Sequence, residues 1–490
     1  MKIGIVRMCK GLAALLAACA LLLAPMATSA QAATMDYSPP STPGSLRVTS
    51  TGTTSVTLSW GKSWDNAGLR NYCVYRNSAY YTYSTSTSKT VTGLAPNTTY
   101  TFYIKAQDWS GNFSAASNRI TVKTRATTTA SKVPAAPTAS GKMVLGYYAS
   151  WAAYSGYTPS DIPAGNLTHI LYAFANIGAD YKIALGDPEV DVKNFAELRA
   201  LKAKNPRLKT LISIGGWTWS ERFSNVALTA ERRTAFAKSV AAFIKKYGLD
   251  GVDIDWEYPV NGGEADNVER AADKQNFTLL MAQLRATLDA QGKADGKSYL
   301  LSFAGGADTA YCNNVEMSKL SKYVNFAMVM TYDMHGSFDD YTDLNAPLYG
   351  TTEPSPNRVW SCDQAVNAWI KAGFPKSKLV MGVPFYGRKY TGVTGGGKGI
   401  FRPFVSARSI DYDDIQSGYL GKSGYARYYG AAGKTPWLFN GSTFISYEDA
   451  ASIAQKTAYV KKWGLAGAGV WELSQNDDGA LLKALYSGLR

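Results

Sequence analysis

The chain has 490 residues, of which 46% are hydrophobic and 18% are charged, so it can form roughly two to four globular domains and is neither disordered nor collagen-like. Its net charge is +14, and the basic residues Lys2, Arg7 and Lys10 supply three of these charges, which leaves +11 after the first 32 residues. Only two histidines occur, His169 and His335, which excludes a histidine-rich metal centre and limits any histidine-dependent triad to two positions.

The first 32 residues have the layout of a secretory signal peptide. Basic residues precede an apolar stretch at 11–24, and small residues follow at 27–33. The apolar stretch is shorter than the roughly 20 residues that span a bilayer. We expect cleavage after Ala32 and a soluble, secreted, extracellular protein. The alternative is a lipoprotein signal with Cys19 as the lipidated residue.

Residues 40–125 predict an all-β sandwich. Short β-rich stretches separated by Gly, Asn and Pro turns lie at 55–60, 71–76, 99–106 and 119–123. Val56, Leu58 and Trp60 alternate with polar residues, which directs a tryptophan into the core. Residues 93–100 resemble the loop and tyrosine corner of a fibronectin type III domain, and residues 108–112 resemble the hairpin turn that follows in that family. The resemblance implies a domain without chemistry of its own, acting as a spacer or as a contact to a carbohydrate surface.

Residues 126–140 are rich in Thr, Ser, Ala and Pro, which predicts a semi-extended linker.

Residues 141–490 alternate β-rich and helical stretches, a pattern typical of a parallel sheet, and eight such strands close a (β/α)8 TIM barrel. The strand candidates are 143–148, 169–175, 210–215, 251–257, 299–304, 326–333, 379–385 and 467–473. Two apolar helical stripes are expected to end near Gly248 and Gly292. The stretch at about 389–440 is too long for a loop and predicts an inserted α+β subdomain over the strand ends.

The strongest chemical signal is the segment 250–259, Asp-Gly-Val-Asp-Ile-Asp-Trp-Glu-Tyr-Pro. Strand side chains alternate between faces, so Asp253, Asp255 and Glu257 share the inner face at steps of about 6.6 Å. Neighbouring buried carboxylates raise the pKa of at least one of them, which keeps a proton available near neutral pH. Glu257, at the mouth, is the candidate general acid, and Asp255 is the partner that tunes it. Taken alone, these acids are equally compatible with a divalent metal site or a structural role.

This segment matches the D-G-x-D-x-D-x-E signature of family 18 glycoside hydrolases, the chitinases, at every defined position. Residues 213–217, Ser-Ile-Gly-Gly-Trp, resemble the S-x-G-G motif of that family, and residues 330–333, Met-Thr-Tyr-Asp, resemble its M-x-Y-D motif. Trp471 lies where the family has the tryptophan at the floor of the sugar-binding subsite. Residues 386–388 and the insertion after them resemble bacterial-type chitinases with an extra α+β subdomain. The resemblance covers essentially all of residues 141–490.

The resemblance implies retaining hydrolysis of β-1,4-linked N-acetylglucosamine, with the substrate's own 2-acetamido oxygen as nucleophile. Glu257 is then the acid and base, Asp255 holds the acetamido N–H of an oxazolinium intermediate, and Asp253 shares the displaced proton. Tyr332 orients the acetamido oxygen. The residues implied in substrate binding are Gly215, Gly216, Trp217, Thr218, Tyr258, Met330, Tyr332, Asp333, Arg388 and Trp471.

Some aromatic and histidine side chains are compatible with a place in the core or with sugar contact. Tyr148, Trp151 and Phe174 are open between core packing and sugar contact. His169 alternates with apolar residues and is expected to be a core histidine. His335 follows the M-x-Y-D motif at the mouth, where it could touch substrate.

Three cysteines follow the expected signal, an odd number for an oxidising compartment. Cys312 and Cys362 are candidates for one disulfide, and the alternative is that all three are buried thiols. Cys73 lies in a β-rich stretch and is expected to be a small core residue.

The expected partners are chitin and chito-oligosaccharides. We expect no cofactor, no metal, no nucleic acid, no membrane contact after signal cleavage, and a monomer. Two other functions stay open. One is a related endo-β-N-acetylglucosaminidase or cell-wall glycan hydrolase that shares the same acid. The other is a non-catalytic chitin-binding lectin, which the intact Glu257 disfavours.

Overall fold

The computed structural model describes residues 36–52, 55–95, 97–124, 141–350 and 360–490. The expected signal peptide at 1–32 and the expected linker at 126–140 lie outside the described residues. The chain divides into two compact units, one built mainly from residues up to Thr124 and the other mainly from residues after it. No helix within the described ranges combines the length and the apolar character needed to cross a membrane.

The N-terminal unit consists of two antiparallel sheets, as predicted for a fibronectin type III sandwich. Its strands are β1 (Arg47–Thr51), β2 (Val56–Ser59), β3 (Leu69–Arg76), β4 (Ala79–Ser84), β5 (Ser88–Val91), β6 (Thr99–Asp108) and β7 (Ile120–Lys123). One sheet has the order β1-β2-β5 and the other the order β4-β3-β6-β7. Val56, Leu58 and Trp60 are buried, and the Trp60 ring packs edge-on against Tyr72 at a centroid distance of 5.6 Å. The predicted tryptophan core is confirmed.

The C-terminal unit is a closed barrel of parallel strands surrounded by helices, which confirms the predicted fold. Its strands are β8 (Met143–Ala149), β9 (His169–Ile177), β10 (Ile183–Ala184), β11 (Lys209–Gly215), β12 (Gly251–Asp255), β13 (Leu300–Gly305), β14 (Phe326–Val329), β15 (Leu379–Pro384), β16 (Tyr386–Thr391), β17 (Ser406–Asp411), β18 (Ala426–Tyr429), β19 (Pro436–Phe439), β20 (Thr443–Ser446) and β21 (Gly467–Trp471). The barrel order is β9-β11-β12-β13-β14-β15-β21-β8, and the pairing of β8 with β9 closes it.

The helices of this unit lie between the strands. They are α1 (Pro188–Lys204), α2 (Phe223–Ala227), α3 (Ala230–Tyr247), α4 (Asp273–Asp295), α5 (Thr309–Asn314), α6 (Met317–Leu320), α7 (Cys362–Lys371), α8 (Tyr412–Gly418), α9 (Ala450–Trp463) and α10 (Ala480–Leu489). Gly248 ends α3 with a left-handed φ of 71°, as predicted. The expected stop at Gly292 is wrong, because α4 continues through it and ends at Gly296, where φ is 67°.

Three barrel strands end at least two residues earlier than their sequence patterns predict, and one of them is the strand expected at 467–473, which stops at Trp471. The strand expected at 326–333 stops at Val329, because Thr331 N bonds to Val329 O at 2.9 Å and turns the chain out of the sheet. The strand expected at 251–257 stops at Asp255. Beyond it, the backbone N–H of Glu257 donates to Ser220 Oγ at 2.9 Å. Glu257 therefore lies two residues beyond the end of β12 and is not part of that strand.

The inserted subdomain is a five-stranded antiparallel sheet with the order β17-β16-β20-β19-β18, joined by α8. Its strands run from Tyr386 to Ser446, so the expected range of 389–440 is too narrow at both ends. The buried side chains of Tyr390, Trp437 and Phe444 form its core. Arg388, which precedes the expected range by one residue, lies on β16 and belongs to the subdomain.

The expected Cys312–Cys362 disulfide is not formed, since both residues and Cys73 are free thiols. Cys362, at the start of α7, directs its Sγ toward the backbone oxygen of Thr331 at 3.4 Å. Cys312 is half-buried on α5. Cys73 is buried in the sandwich, as expected for a small core residue.

Candidate active site

A cleft of about 920 Å³ lies at the carboxyl ends of the barrel strands. Four strands supply Tyr147 from β8, Phe174 from β9, Asp255 from β12 and Trp471 from β21. Parallel strands present their carboxyl ends at one rim of a barrel, which brings side chains from distant parts of the sequence together. The inserted subdomain contributes Arg388 to the wall.

Asp253 lies beneath the cleft and is 1% exposed. Its carboxylate accepts hydrogen bonds from the hydroxyls of Tyr147 at 2.8 Å, Ser213 at 2.8 Å and Ser302 at 2.6 Å. Ser213 and Ser302 stand directly opposite Asp253 on β11 and β13. Burial raises the pKa of Asp253, and the three hydroxyl donors act against that rise.

Asp255 is the next carboxyl group on the same face and is 4% exposed. Its Oδ1 is buried without a hydrogen-bond partner. Burial raises the pKa of Asp255 well above its usual range, and the charges of Glu257 and Asp253 raise it further. The middle carboxyl group thus has an oxygen free to accept a donor from a ligand.

Glu257 is buried at the mouth of the barrel. Burial raises its pKa to about 7, the hydrogen bond with Tyr258 lowers it, and the charge of Asp333 raises it. The backbone around it is held on both sides, because Asn267 Nδ2 donates to Glu257 O at 2.8 Å and Ser220 accepts from its N–H. The site therefore positions a carboxyl group that can carry a proton near neutral pH.

Gly215 and Gly216 bring the end of β11 close to the end of β12. Their φ angles are +103° and +78°. A Cβ on Gly215 would lie 2.4 Å from Asp255 O, and a Cβ on Gly216 would lie 2.6 Å from the Phe174 ring. The backbone N–H of Gly216 donates to Asp255 O at 2.8 Å. A side chain on Gly215 would push β11 away from β12, which carries Asp253 and Asp255, and a side chain on Gly216 would clash with the Phe174 ring.

Asp333 links the barrel to the inserted subdomain. Its Oδ1 accepts hydrogen bonds from the Tyr386 hydroxyl and from Arg388 Nη2. Its backbone, with a φ of 55°, is held by a 3.1 Å bond from Asp333 N to Asn345 Oδ1. The neighbouring Tyr332 is buried, and burial raises its pKa well above the usual range, so its hydroxyl keeps its proton.

Aromatic rings form the floor and rim of the cleft. Trp471 stacks on Phe174 at a centroid distance of 5.6 Å and an interplanar angle of 23°, and Tyr147 lies 5.4 Å from it. Trp151 and Trp217 stand at the rim and are 49% and 48% exposed. Exposed aromatic faces in a groove are suited to stacking against the apolar faces of sugar rings.

The structure brings nearly all of the expected site residues into one cleft. Asp255 and Glu257 line it, and Asp253 lies beneath it. The expected substrate-binding residues that line it are Trp217, Thr218, Tyr258, Met330, Tyr332, Asp333, Arg388 and Trp471. Gly215 and Gly216 support the cleft from behind and are not among the residues that line it.

Of the three aromatic residues that could either pack in the core or contact sugar, two line the cleft and one lies in the core. Trp151 and Phe174 line the cleft. Tyr148 is a core residue, because its hydroxyl donates to Tyr157 O at 3.0 Å on the outer side of β8. Tyr147, which sequence reasoning missed, points inward instead. Strand register carried the signal, since Tyr147 faces the same side as Asp253.

Other cleft residues had no local signal in the sequence. They stand on loops and short helices and include Asn261, Asp308, Tyr311, Asn314, Phe338 and Trp360. Ser220, which fixes the backbone of Glu257, belongs to no recognisable motif. These residues come from connections that are distant in sequence and are brought together in the folded barrel.

Neither histidine is among the residues that line the cleft. His169 contacts Thr168 Oγ1 through Nδ1 at 2.7 Å, and burial lowers its pKa to about 4. His335 is buried between Asp339 at 3.2 Å and Asp343 at 3.4 Å, and it does not line the cleft. His335 therefore has a structural place rather than the expected position at the mouth.

Comparison with known proteins agrees with this geometry. Residues 143–476 match the family described as glycosyl hydrolases family 18, and residues 38–123 match the fibronectin type III domain. Chitinase A1 of Niallia circulans is 40% identical over 406 residues, which cover 71% of this chain and 58% of that protein. Chitinase 1 of Aphanocladium album is 33% identical over 369 residues, covering 70% of this chain and 84% of that protein. The chain thus spans less than two thirds of the length of Chitinase A1.

A solved structure has the same fold as the C-terminal unit. It is a glycoside hydrolase family 18 N-acetylglucosaminidase from Paenibacillus barengoltzii, 38% identical, with a TM-score of 0.66. The match covers 71% of this chain and 100% of that one.

Proposed function

Since the chain belongs to family 18 of the glycosyl hydrolases, we propose that it is a chitinase that hydrolyses the β-1,4 linkages between N-acetylglucosamine units of chitin and chito-oligosaccharides. One observation carries the proposal. Asp255 and Glu257 form a buried carboxyl pair with raised pKa values, set at the end of a barrel strand inside an aromatic cleft. The chitinase relatives support chitin as the substrate class.

In the first step of the proposed mechanism, Glu257 donates its proton to the glycosidic oxygen. The bond to C1 breaks, and the carbonyl oxygen of the substrate's own 2-acetamido group attacks C1 to give a cyclic oxazolinium ion. The unpartnered Oδ1 of Asp255 accepts the acetamido N–H, and the charge of Asp255 stabilises the cation. Asp253, already held by three hydroxyl donors, takes or shares the proton that Asp255 gives up.

In the second step, the Glu257 carboxylate takes a proton from a water molecule that attacks C1. Two inversions at C1 give overall retention. The Tyr332 hydroxyl, which keeps its proton through neutral pH, donates to the acetamido oxygen and orients it. Trp471 stacks against the sugar ring at the centre of the cleft, and Asp333 and Arg388 contact neighbouring sugars.

We further propose that the chain acts outside the cell as a monomer, without nucleic-acid or membrane partners. Chitin is a polymer that does not enter cells, so a chitinase must meet it outside. Export then depends on the signal at 1–32, which lies outside the described residues.

The first test replaces the general acid. The Glu257→Gln variant keeps the shape of the side chain but cannot donate the proton, so kcat on a chromogenic chito-oligosaccharide should fall by about a thousandfold or more. Binding of the oligosaccharide, measured by calorimetry, should stay within about twofold. Glu231→Gln, which removes a carboxylate from the exposed first turn of α3, is the matched control and should behave like wild type. Turnover by Glu257→Gln close to wild type would contradict the assignment.

A second test addresses the nucleophile. A thiazoline mimic of the oxazolinium ion should compete with the substrate, because the cleft would be complementary to the cyclic intermediate. Mass spectrometry of the quenched reaction should detect no glycosyl group covalently bound to the protein. Failure of the mimic to inhibit, or a trapped glycosyl ester on a carboxylate, would exclude the acetamido mechanism.

A further inference from the structure

The sandwich holds a group of carboxylates that glycoside hydrolysis does not use. Asp36, Asp65 and Asp108 each place one carboxylate oxygen within 4.8 Å of the other two. They are the only acidic residues between positions 36 and 124. All the acids of this unit therefore meet at one point, although they are far apart in sequence.

The three acids come from separate segments that hydrogen bonds hold together. Asp36 precedes β1, Asp65 lies between β2 and β3, and Asp108 is the last residue of β6. The Nδ2 of Asn112 donates at 2.8 Å both to Asp36 O and to Asp108 Oδ2. The Nδ2 of Asn66 donates to Asp36 Oδ1 at 3.1 Å. The geometry of the cluster is thus built by the fold.

Two oxygens of the cluster have no donor. Asp65 is 8% exposed, and while its Oδ1 accepts from Ala67 N at 2.9 Å, its Oδ2 is buried without a hydrogen-bond partner. Asp36 Oδ2 is also buried and unpartnered. Asp108 is fully buried. Burying carboxylates beside one another without a compensating charge is unfavourable, so each orphaned oxygen points to an absent positive partner.

Among the described residues, no basic side chain forms an ion pair with these acids. Residues 36–124 contain eight Lys and Arg residues, more than enough to pair with three acids. Yet, in the part of the chain that the structure describes, every ion pair lies between residues 180 and 456. Three acids of a basic unit, of which Asp65 and Asp108 are buried and none forms a described ion pair, are arranged for an external cation.

We propose that Asp36, Asp65 and Asp108 bind a calcium ion. Carboxylate oxygens are the ligands that this hard cation prefers, and Ca–O distances of about 2.3–2.6 Å allow two ligands of one ion to lie up to about 5 Å apart. The 4.8 Å limit of the cluster fits that span. Magnesium demands a near-ideal octahedron at about 2.1 Å and usually keeps several of its waters, so a site built from several carboxylates is more typical of calcium. The ion connects the N-terminal segment, the β2–β3 connection and the end of β6.

The test is a titration of the full chain, stripped with a chelator, with calcium chloride in a calorimeter. We expect saturable binding of one ion per chain at micromolar to millimolar concentration. Asp65→Asn keeps the shape and removes the charge, and it should weaken the affinity at least tenfold. Asp289→Asn removes a carboxylate from the exposed side of α4 and should leave the affinity unchanged. No saturable binding by the wild-type chain up to about 10 mM, or equal affinity in Asp65→Asn, overturns the proposal.

Terbium luminescence locates the ion. Trp64 and Trp109 directly adjoin two of the ligands in sequence, so excitation of tryptophan should sensitise a terbium ion held there, and calcium should reverse the emission. If Asp65→Asn does not fold, Asp36→Asn on the N-terminal segment replaces it and should abolish the calcium-reversible emission. Emission that persists in that variant places the ion elsewhere and overturns the proposal.

Discussion

Asp253, Asp255 and Glu257 are chemically equivalent groups that differ in what lies beside them. Asp253 has hydroxyl donors on both neighbouring strands, which offset the cost of burial. Asp255 has no donor for Oδ1, and Glu257 lies where the charge of Asp333 can act on it. Position along the face, rather than residue type, therefore decides which group holds charge, which accepts a ligand and which carries the proton.

The raised pKa of Glu257 predicts the alkaline limb of activity. The acid must be protonated to donate, so kcat/KM should fall about tenfold per pH unit above about 7. The negative charge of Asp333 helps to raise this pKa, so Asp333→Asn should lower it and move the alkaline limb to lower pH. The freed guanidinium of Arg388 acts in the same direction. The measurement is a pH–rate profile on a soluble chromogenic substrate, with Asp289→Asn as a control that should not move the limb.

An alkaline limb that stays in place in Asp333→Asn, or that moves to higher pH, would contradict this electrostatic account. A fall in kcat/KM at every pH without a shift of the limb would mean that Asp333 acts only through substrate contact.

At the scale of single residues, strand alternation predicted the acids because their side chains depend only on local geometry. Asp253 and Asp255 are on β12 as expected, and Glu257 still faces the cleft although its N–H pairs with Ser220. The role of Ser220 could not be predicted, since it depends on a loop from another strand. The inward position of Tyr147 follows from strand register, which turns its neighbour Tyr148 to the outer side of β8.

The backbones at the ends of β11 and β12 lie in close contact, because Gly215 has no side chain to separate them. A Cβ on Gly215 would lie 2.4 Å from Asp255 O, a backbone atom that cannot rotate away. Gly215→Ala should therefore destabilise the chain by about 3 kcal/mol and lower kcat/KM by at least about a hundredfold. Thermal unfolding and kinetics on the same preparation check both effects.

Gly296→Ala is the matched control for this change. Gly296 also has a positive φ, of 67°, but nothing lies within 4 Å of a Cβ built there. It should cost only the left-handed backbone strain of about 1 kcal/mol and leave kcat/KM unchanged. Equal losses of activity in the two variants would show that backbone strain, and not closeness to Asp255, governs the effect.

At the scale of elements, the barrel strands were predictable because buried parallel strands are continuous apolar runs. The sandwich strands β1, β4 and β5 were not, because most of their side chains are polar or exposed and give no alternation. Gly292 suggested a helix end, but packing carries α4 one turn further. The three aspartates of the sandwich carried no signal either, since their spacing along the chain matches no metal motif and only the fold unites them.

At the scale of the whole molecule, the candidate active site is built from residues of the C-terminal unit. Among the described residues, those that line the cleft all come from the range 147–471. Deleting residues 33–140 should therefore leave kcat/KM on chitohexaose within about twofold and leave the order of products in a time course unchanged. The control is the full chain, prepared and assayed in parallel. A more than tenfold loss, with the barrel folded by circular dichroism, would show that the N-terminal unit takes part in hydrolysis of soluble substrate.

The three free thiols have a consequence for the chemical durability of the protein. Burial raises the pKa of Cys362 to about 11 and that of Cys312 to about 12. Oxidation and thiol exchange proceed through the thiolate, which at pH 7 is then on the order of one part in ten thousand of the Cys362 population. Oxygen, peroxide and small disulfides therefore react slowly with these thiols. The packing that buries them also protects the protein against oxidation during storage.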